Sequence, residues 1–305
     1  IHMFHATADT TTMPILATRG CPYACTFCSN PNMWTTRWTP RNPQKVVDEM
    51  AEAAERYNLR NFDLYDLTTI VKREWTLDFA QAIIDRGLDI KYQLASGTRS
   101  EAIDDHVAQK LVESGCTHIT VAPESGSEDS LVRTNKKLDL EHFVASVKSC
   151  IKAGMTVSMN LIIFPDDTWK DVTQTLKFSM RCARAGVQDT TFFPYMPYPG
   201  TVLFEQLQRE GRVPELSDEF FLSLLEQFDL FRAHSYNESF NDLYMRMIRI
   251  ISVAVFHLTV WRYHPRLVGD NLRNIIFNTP INRAEKAGAE LLLRLRSRPG
   301  SIHNG

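Results

Sequence analysis

Four glycines set the rhythm of this chain. Gly87, Gly115, Gly154 and Gly186 each close a helix-like segment, and each is followed within a few residues by a strand-like run. Glycine suits the left-handed position just past a helix C-terminus. The runs fall at residues 90–94, 118–122, 156–164 and 189–195, and two earlier ones at 14–18 and 62–66 complete a count of six. Helix, glycine, strand, repeated every few tens of residues, predicts an α/β fold with parallel strands. Six strands predict a partial (βα)6 TIM-like barrel with strands ordered as in the sequence. Helix starts agree with this register. Asn42 precedes Pro43, Thr168 stands three residues before Asp171 as in a capping box, and Asp139 can cap the helix carrying Phe143, Val147 and Ile151.

The chain has 305 residues, 44% hydrophobic and 23% charged. That suffices for one large barrel with an appendage. The division expected is a lead-in over 1–12, the barrel over 13–207, and a helical C-terminal extension over 208–305. A net charge of -2 gives no bulk attraction for nucleic acid, so no nucleic-acid partner is expected. Six cysteines, three of them clustered, read as a reducing, cytoplasmic compartment rather than a disulfide framework. No signal peptide is visible. The chain opens Ile1-His2-Met3, so either two residues stand ahead of the natural start or this is a piece of a longer protein.

The clustered cysteines are Cys21, Cys25 and Cys28, in a loop directly after the first strand. In parallel barrels, loops at the C-terminal ends of strands carry the chemistry. Thiolates are soft ligands for iron–sulfur clusters or zinc. Three thiolates leave one iron of a four-iron cluster open, whereas structural zinc or a closed cluster wants four ligands. Cys116, Cys150 and Cys182 lie in or beside helices away from the mouth and read as buried thiols. His2 and His5 stay open as further ligands, and three unrelated core cysteines are the remaining reading.

Cys-x3-Cys-x2-Cys with Phe27 before the last cysteine resembles the signature of the radical S-adenosylmethionine (radical SAM) superfamily. The resemblance implies a 4Fe–4S cluster on Cys21, Cys25 and Cys28, with SAM on the open iron and Phe27 shielding the cluster near the adenine. It also implies an external electron donor of flavodoxin or ferredoxin type and a small-molecule substrate. The likeness covers about residues 13–207.

Polar residues recur at the strand ends: Asp66 and Thr68, then Ser96 and Arg99, Glu124, Asn160, and the run from Tyr195 and Met196 to Thr201. Five polar ends around one cysteine loop fit a ligand bearing amine, carboxylate, ribose and adenine. These stretches resemble the branch containing methylthiotransferases and cobalamin-dependent methyltransferases and cyclases. That resemblance implies SAM contacts for Glu124 and Arg99, and adenine recognition by backbone at Tyr195 and Met196. The plainer readings are a helix cap for Glu124 and a surface ion pair for Arg99. One departure stands out. Where the branch often has a glycine-containing turn after the fifth strand, residues 163–168 read Ile-Phe-Pro-Asp-Asp-Thr.

The residues after Cys28, the stretch 34–38 and Pro43 to Glu49 most resemble the group containing the anaerobic magnesium-protoporphyrin monomethyl ester cyclase. Members typically carry a cobalamin-binding domain ahead of the core, and only about 20 residues precede Cys21 here. Cobalamin would therefore belong to a domain absent from this chain. Three readings stay open: cobalamin-assisted methylation, cyclisation or oxidation at a C–H bond; a cobalamin-free oxidoreductase or lyase; or a non-catalytic metal or electron carrier. No second cysteine cluster is present, which disfavours the peptide-modifying branch. The segment 250–261 is apolar nearly all round, too short to span a bilayer, and is expected to bury against the barrel or a partner. Leu291, Leu292, Leu293 and Leu295 interleave with Arg294, Arg296 and Arg298. That tail reads as a solvated helix or as a basic amphipathic helix for peripheral membrane contact.

Overall fold

The computed structural model describes residues 11–277 together with Glu285, Ala289, Leu292 and Leu293. His2, His5 and most of the basic leucine tail fall outside the described residues.

Six strands form one parallel sheet: β1 (Thr12–Ile15), β4 (Asn61–Leu64), β5 (Lys91–Thr98), β6 (Cys116–Glu124), β7 (Thr156–Ile163) and β8 (Asp189–Pro194). Their spatial order follows the sequence, and every adjacent pair is parallel. The α/β class and the six strands match expectation. The sheet is open, since β1 and β8 are edge strands that do not pair with each other. The first strand is shorter than expected. The chain leaves the sheet after Ile15, and β2 (Thr18–Arg19) joins β3 (Thr39–Pro40) in a separate antiparallel ribbon. The cysteine loop and the short α1 (Asn30–Met33) lie between the strands of that ribbon.

Crossover helices α2 (Pro43–Tyr57), α3 (Arg73–Asp85), α4 (Asp105–Glu113), α5 (Glu128–Arg133), α6 (Leu140–Ala153) and α7 (Trp169–Ala185) connect the strands. Their caps are those read from the sequence. The Asn42 side chain accepts from Lys45 N, the Asp139 side chain accepts from His142 N, and Thr168 with Asp171 forms a reciprocal capping box. Gly87, Gly115, Gly154 and Gly186 all adopt positive φ. The main core is built from alternating strand residues such as Phe62, Ile119, Val157 and Phe192 against helix residues such as Val46, Phe79, Val107 and Val147. Cys116, Cys150 and Cys182 are buried there. Burial pushes the thiols of Cys150 and Cys182 up to about 12, so they stay protonated and apolar in character.

After β8 come α8 (Val202–Arg209), α9 (Asp218–Ser223), a 3-10 turn (Leu224–Phe228), α10 (Asp242–Tyr263) and α11 (Pro265–Ile276). The stretch between Asp229 and Asn241 is irregular rather than helical. α10 is long and apolar enough to cross a membrane by length and composition alone. Its Met245, Ile248, Phe256 and Val260 side is buried, and the helix packs on α7 and β8. The expected burial is therefore half met, since Ile250, Ile251, Leu258 and Trp261 face outward.

The Asp-Asp-Thr turn after β7 has its own use. Asp167 accepts from Phe164 N (2.8 Å), Ser130 Oγ (2.7 Å) and Arg133 Nη2 (3.0 Å). Asp171 accepts from Ser127 Oγ (2.5 Å), Thr168 N (2.9 Å) and pairs with Arg133 (3.0 Å). These bonds tie the α5 segment to the start of α7. Burial raises the cost of ionising Asp171, but the Ser127 and Thr168 donors and the Arg133 charge outweigh it and bring the carboxyl from 3.8 to about 2. A lowered carboxyl contributes stability that is complete above the unfolded value and is lost as pH falls towards 2. Asp171→Asn should cost about 1–2 kcal/mol at neutral pH. Between pH 4 and 2 its acid unfolding curve should be less steep than that of the wild type, as followed by circular dichroism.

Candidate active site

Residues 20–29 cross the C-terminal end of the sheet and are held from several sides. Thr26 N donates to Thr134 O at the end of α5 (3.0 Å), and Thr26 O accepts from Leu203 N in the first turn of α8 (2.9 Å). Asn135 Nδ2 donates to Ala24 O (2.7 Å). On the other flank Asn30, fully buried, donates through Nδ2 to Cys21 O and to Thr35 O, both at 3.1 Å. Gly20 has φ +74, and a Cβ there would collide with the Arg37 carbonyl. The loop can meet the β2–β3 ribbon only as glycine.

The three thiols are half-buried on this loop. Burial raises all three pKa values. It is opposed at Cys21 mainly by the Tyr23 N–H, at Cys25 by Lys136, and at Cys28 by the Asn30 N–H at 3.5 Å. Among the described residues no three His, Cys, Asp or Glu side chains converge as a single-ion site. A mononuclear zinc needs thiolates within about 2.3 Å of one point. Three soft donors spread along one loop suit a larger multi-iron group.

Glu124 terminates β6 beneath the loop. It has φ +69, a left-handed conformation unusual for a side chain of this kind, next to a break in register between β6 and β7. Strain of this kind turns a side chain out of the regular sheet direction. Its carboxylate accepts from Lys136 Nζ at 3.1 Å, and both side chains are buried. Burial holds the Glu124 carboxyl above its usual range although Lys136 and Arg99 pull it down. Glu124 does not cap a helix. Ser127 is the N-cap of α5, accepting from Ser130 N. The neighbours of Glu124 explain the rest of the Glu-Ser-Gly run. Ser125 Oγ meets Thr175 Oγ1 at 3.0 Å, and a Cβ on Gly126 would collide with Phe178. Glycine there lets α7 approach.

Arg99 is buried rather than a surface ion pair. It pairs with Glu101, donates to Lys137 O, and lies 3.7 Å under the Tyr23 ring of the cysteine loop. Its Nη1 is buried with no hydrogen-bond partner. Ser96 is half-buried near the end of β5, three residues before Arg99. Asn160 lies in a row with Gly97 and Ala122, and a Cβ on Gly97 would reach Ala122 and approach Asn160. Glycine at 97 therefore lets β5 and β6 pack closely at this level. Phe27 packs on Phe164 (centroids 5.1 Å), which packs on Tyr195 (6.3 Å). The Tyr195 N–H donates to Ile163 O (3.1 Å), and burial pushes its hydroxyl up.

Asp66 and Met196 also make bonds and contacts of their own. Asp66 accepts from Thr18 N and so pins the ribbon, with its second oxygen buried and unpartnered. The Met196 side chain packs with Phe204, Phe220 and Leu224, and its carbonyl accepts from Tyr198 N (2.9 Å). The structure thus gathers the three cysteines, Glu124 and Arg99 into mutual electrostatic reach. Lys136, Glu101 and Tyr23 belong with them and were not anticipated. Lys136 lowers all three thiols. Its only sequence signal is a lysine pair before a helix, which ordinarily marks a solvated surface.

Residues 15–179 match the radical SAM superfamily. The chain belongs to that superfamily, whose members are enzymes that use a 4Fe–4S cluster and SAM. It is 29% identical over 192 residues to an uncharacterized methyltransferase of Pyrococcus horikoshii, covering 63% of this chain and 41% of that protein. It is 26% identical over 208 residues to the anaerobic magnesium-protoporphyrin IX monomethyl ester cyclase of Cereibacter sphaeroides, covering 67% of this chain and 33% of that protein. The fold resembles the radical SAM methyltransferase TsrM of Kitasatospora setae, with TM-score 0.59 at 17% identity over 68% of this chain and 39% of that one. The chain spans less than half the length of these relatives.

Lys136→Met should leave Glu124 buried without its partner. The expected cost is about 3 kcal/mol at pH 7. With its carboxyl raised further, the loss should shrink as pH falls from the raised folded value towards the unfolded one and be gone below it, where both states are protonated. The double variant Glu124→Gln/Lys136→Met should recover most of the stability in urea melts, whereas simple loss of packing would make the two changes add.

Proposed function

We propose that this chain is the catalytic core of a radical SAM enzyme that functionalises a C–H bond of a small, partly apolar substrate by methylation, cyclisation or oxidation. The observation that carries this reading is the buried Glu124–Lys136 pair placed among three thiols on one clamped loop. The donor set fits the group the superfamily uses: three soft thiolates for iron, a buried carboxylate for an amine, and buried cations for a carboxylate. When bound, the cluster and SAM supply a 5′-deoxyadenosyl radical.

The chain's own residues bind, orient and exclude water. Cys21, Cys25 and Cys28 would hold the cluster, and Asn30 fixes the loop that presents them. Glu124 is poised for the SAM amine, exchanging its bond with Lys136, while Lys136 and the free Nη1 of Arg99 are poised for the carboxylate. The Phe27–Phe164–Tyr195 aromatic run forms an apolar wall on which an adenine can rest. Ser96, Asn160, Asp66 and the Met196 backbone are proposed as outer polar contacts at the same mouth. The open sheet acts as a partial (βα)6 barrel, because the Leu203 N to Thr26 O bond joins segments following its two edge strands. A barrel core over 13–207 with the helical extension over 208–305 is the division this implies, and a cytoplasmic setting suits its reduced thiols.

The relatives named as methyltransferases and cyclases support the reaction class, and cobalamin, where used, would come from a domain outside this chain.

Anaerobic reconstitution with iron and sulfide, then SAM and dithionite, should give 5′-deoxyadenosine and methionine by mass spectrometry. Cys25→Ala should abolish both the cluster absorbance and the products. Glu124→Ala should weaken SAM binding at least tenfold while iron content stays at the wild-type level. Loss of iron in that variant would assign Glu124 to the cluster loop's stability instead.

A further inference from the structure

The outer face of the cysteine loop carries a charge pattern that SAM binding leaves unused. Between residues 10 and 47 there are four basic residues and no acidic one, and between 130 and 138 three basic residues and no acidic one. The whole chain has net charge -2, so this bias is local. The two segments are the ones that bracket the loop. Arg19 precedes Gly20, and its guanidinium lies over the Trp34 ring. The Arg37 backbone packs against Gly20. At the other end Thr134 and Asn135 bond the loop at Thr26 and Ala24, which places Lys137 just beyond. Arg19, Arg37 and Lys137 are exposed, and none has an acidic partner among the described residues. Exposed apolar side chains stand among these cations: Met33 (63%), Trp34 (41%) and Val132 (79%). A groove of about 790 Å³ opens beside the loop, with Val132, Asn135, Lys137 and Leu138 at the loop side and Glu128, Asp139 and Glu141 also in its lining, so the cationic bias lies at the loop rim and not in the groove as a whole.

We infer that this face is the docking surface for an acidic one-electron donor protein. The inference rests on the radical SAM reading, which requires a reductant. One electron leaves the donor's reduced flavin or iron–sulfur centre, which is oxidised by one electron. The face would pass it to the group that Cys21, Cys25 and Cys28 would hold, which would gain that one electron. No atom is transferred. Unpaired cations at the rim raise the encounter rate with an acidic partner, and the exposed Met33, Trp34 and Val132 give the docked pair an apolar contact close to the thiols. A polyanion such as RNA would meet the same charge. The protruding apolar side chains and the absence of a net basic chain favour a protein.

The test uses the full chain and a purified flavodoxin. Binding is measured by calorimetry at about 50 mM and about 300 mM salt, without SAM or cluster. Arg37→Glu/Lys137→Glu should weaken binding at least tenfold at low salt, and the gap should narrow at high salt. Lys91→Glu, on the exposed start of β5 at the opposite end of the sheet, should change nothing. Arg37→Gln/Lys137→Gln, milder for folding, should fall between. In turnover with the reconstituted enzyme, Arg37→Glu/Lys137→Glu should make 5′-deoxyadenosine at least tenfold more slowly with flavodoxin and at the wild-type rate with dithionite. Equal binding by wild type and the reversed variant, or equal weakening by Lys91→Glu, overturns the inference. So does a wild-type chain that binds tRNA and not flavodoxin. A wild-type enzyme inactive even with dithionite sinks the catalytic reading instead, while the calorimetry still judges the surface.

Discussion

Thr26 is bonded on both sides of its own residue, its N–H to Thr134 and its carbonyl to Leu203. Much of the site follows from that. The first bond brings in the end of α5 after β6, and the second brings in α8 after the last strand. A loop from one edge of an open parallel sheet is thereby held over the middle and tied to the other edge. The ordinary cost of placing a ten-residue loop is entropic. Here Thr26, Ala24, Asn30 and Gly20 each remove freedom at a different point along it. The cysteines reach the mouth already ordered, which is what binding of a large inorganic group needs.

Electrostatics set what can occupy that space. Three thiols and Glu124 face two buried cations, Lys136 and Arg99. Deprotonating all four acids would leave an excess of negative charge in a poorly hydrated pocket, so burial holds every one of them above its usual pKa. The iron of a cluster held by these thiolates would supply the missing positive charge. Lys136 is the balancing group because it reaches both Glu124 and the thiols. A ligand carrying its own amine and carboxylate could replace the internal pair bond for bond, with little net change in charge. The pair thus keeps the site neutral enough to be buried before the ligand arrives.

Much of this was legible in the sequence because it is local. Caps, the four helix-ending glycines and the apolar strand runs act within a few residues, and the cysteine motif is contiguous. The strand order follows from short crossovers. What was not legible depends on distant segments. Lys136 looks like half of a solvated lysine pair until Glu124 is seen beneath it. Arg99 is a strand-end cation whether it ends in water or under Tyr23. Asp66 satisfies the rule of polar residues at strand ends, yet Thr18, 48 residues away in the chain, takes one of its oxygens. The apolar segment 250–261 was legible as one that packs, and it lies inside α10. It did not say which side packs, because α10 carries apolar residues on two sides and the side with Met245, Ile248, Phe256 and Val260 is the buried one.

The C-terminal extension shapes the mouth. Arg249, fully buried on α10, donates to Phe192 O at the end of β8 and to the carbonyls of Gln227, Asp229 and Arg232. Burial, opposed in part by the charge of Asp229, brings its pKa down to about 10, still cationic at neutral pH. One guanidinium therefore fastens the irregular 227–232 stretch to the last strand, and Phe228 of that stretch meets Phe193 with ring centroids 6.2 Å apart. Asn237 likewise donates to Phe164 O and Asp167 O, both at 2.8 Å. Phe164 is the residue that stacks between Phe27 and Tyr195. The extension thus fixes the backbone of the same aromatic wall that the cysteine loop approaches from the other side. The backbone of this wall is thus set by residues on both sides of position 208, so a change after that position can reshape the wall while the bonds that hold the cysteine loop stay as they are.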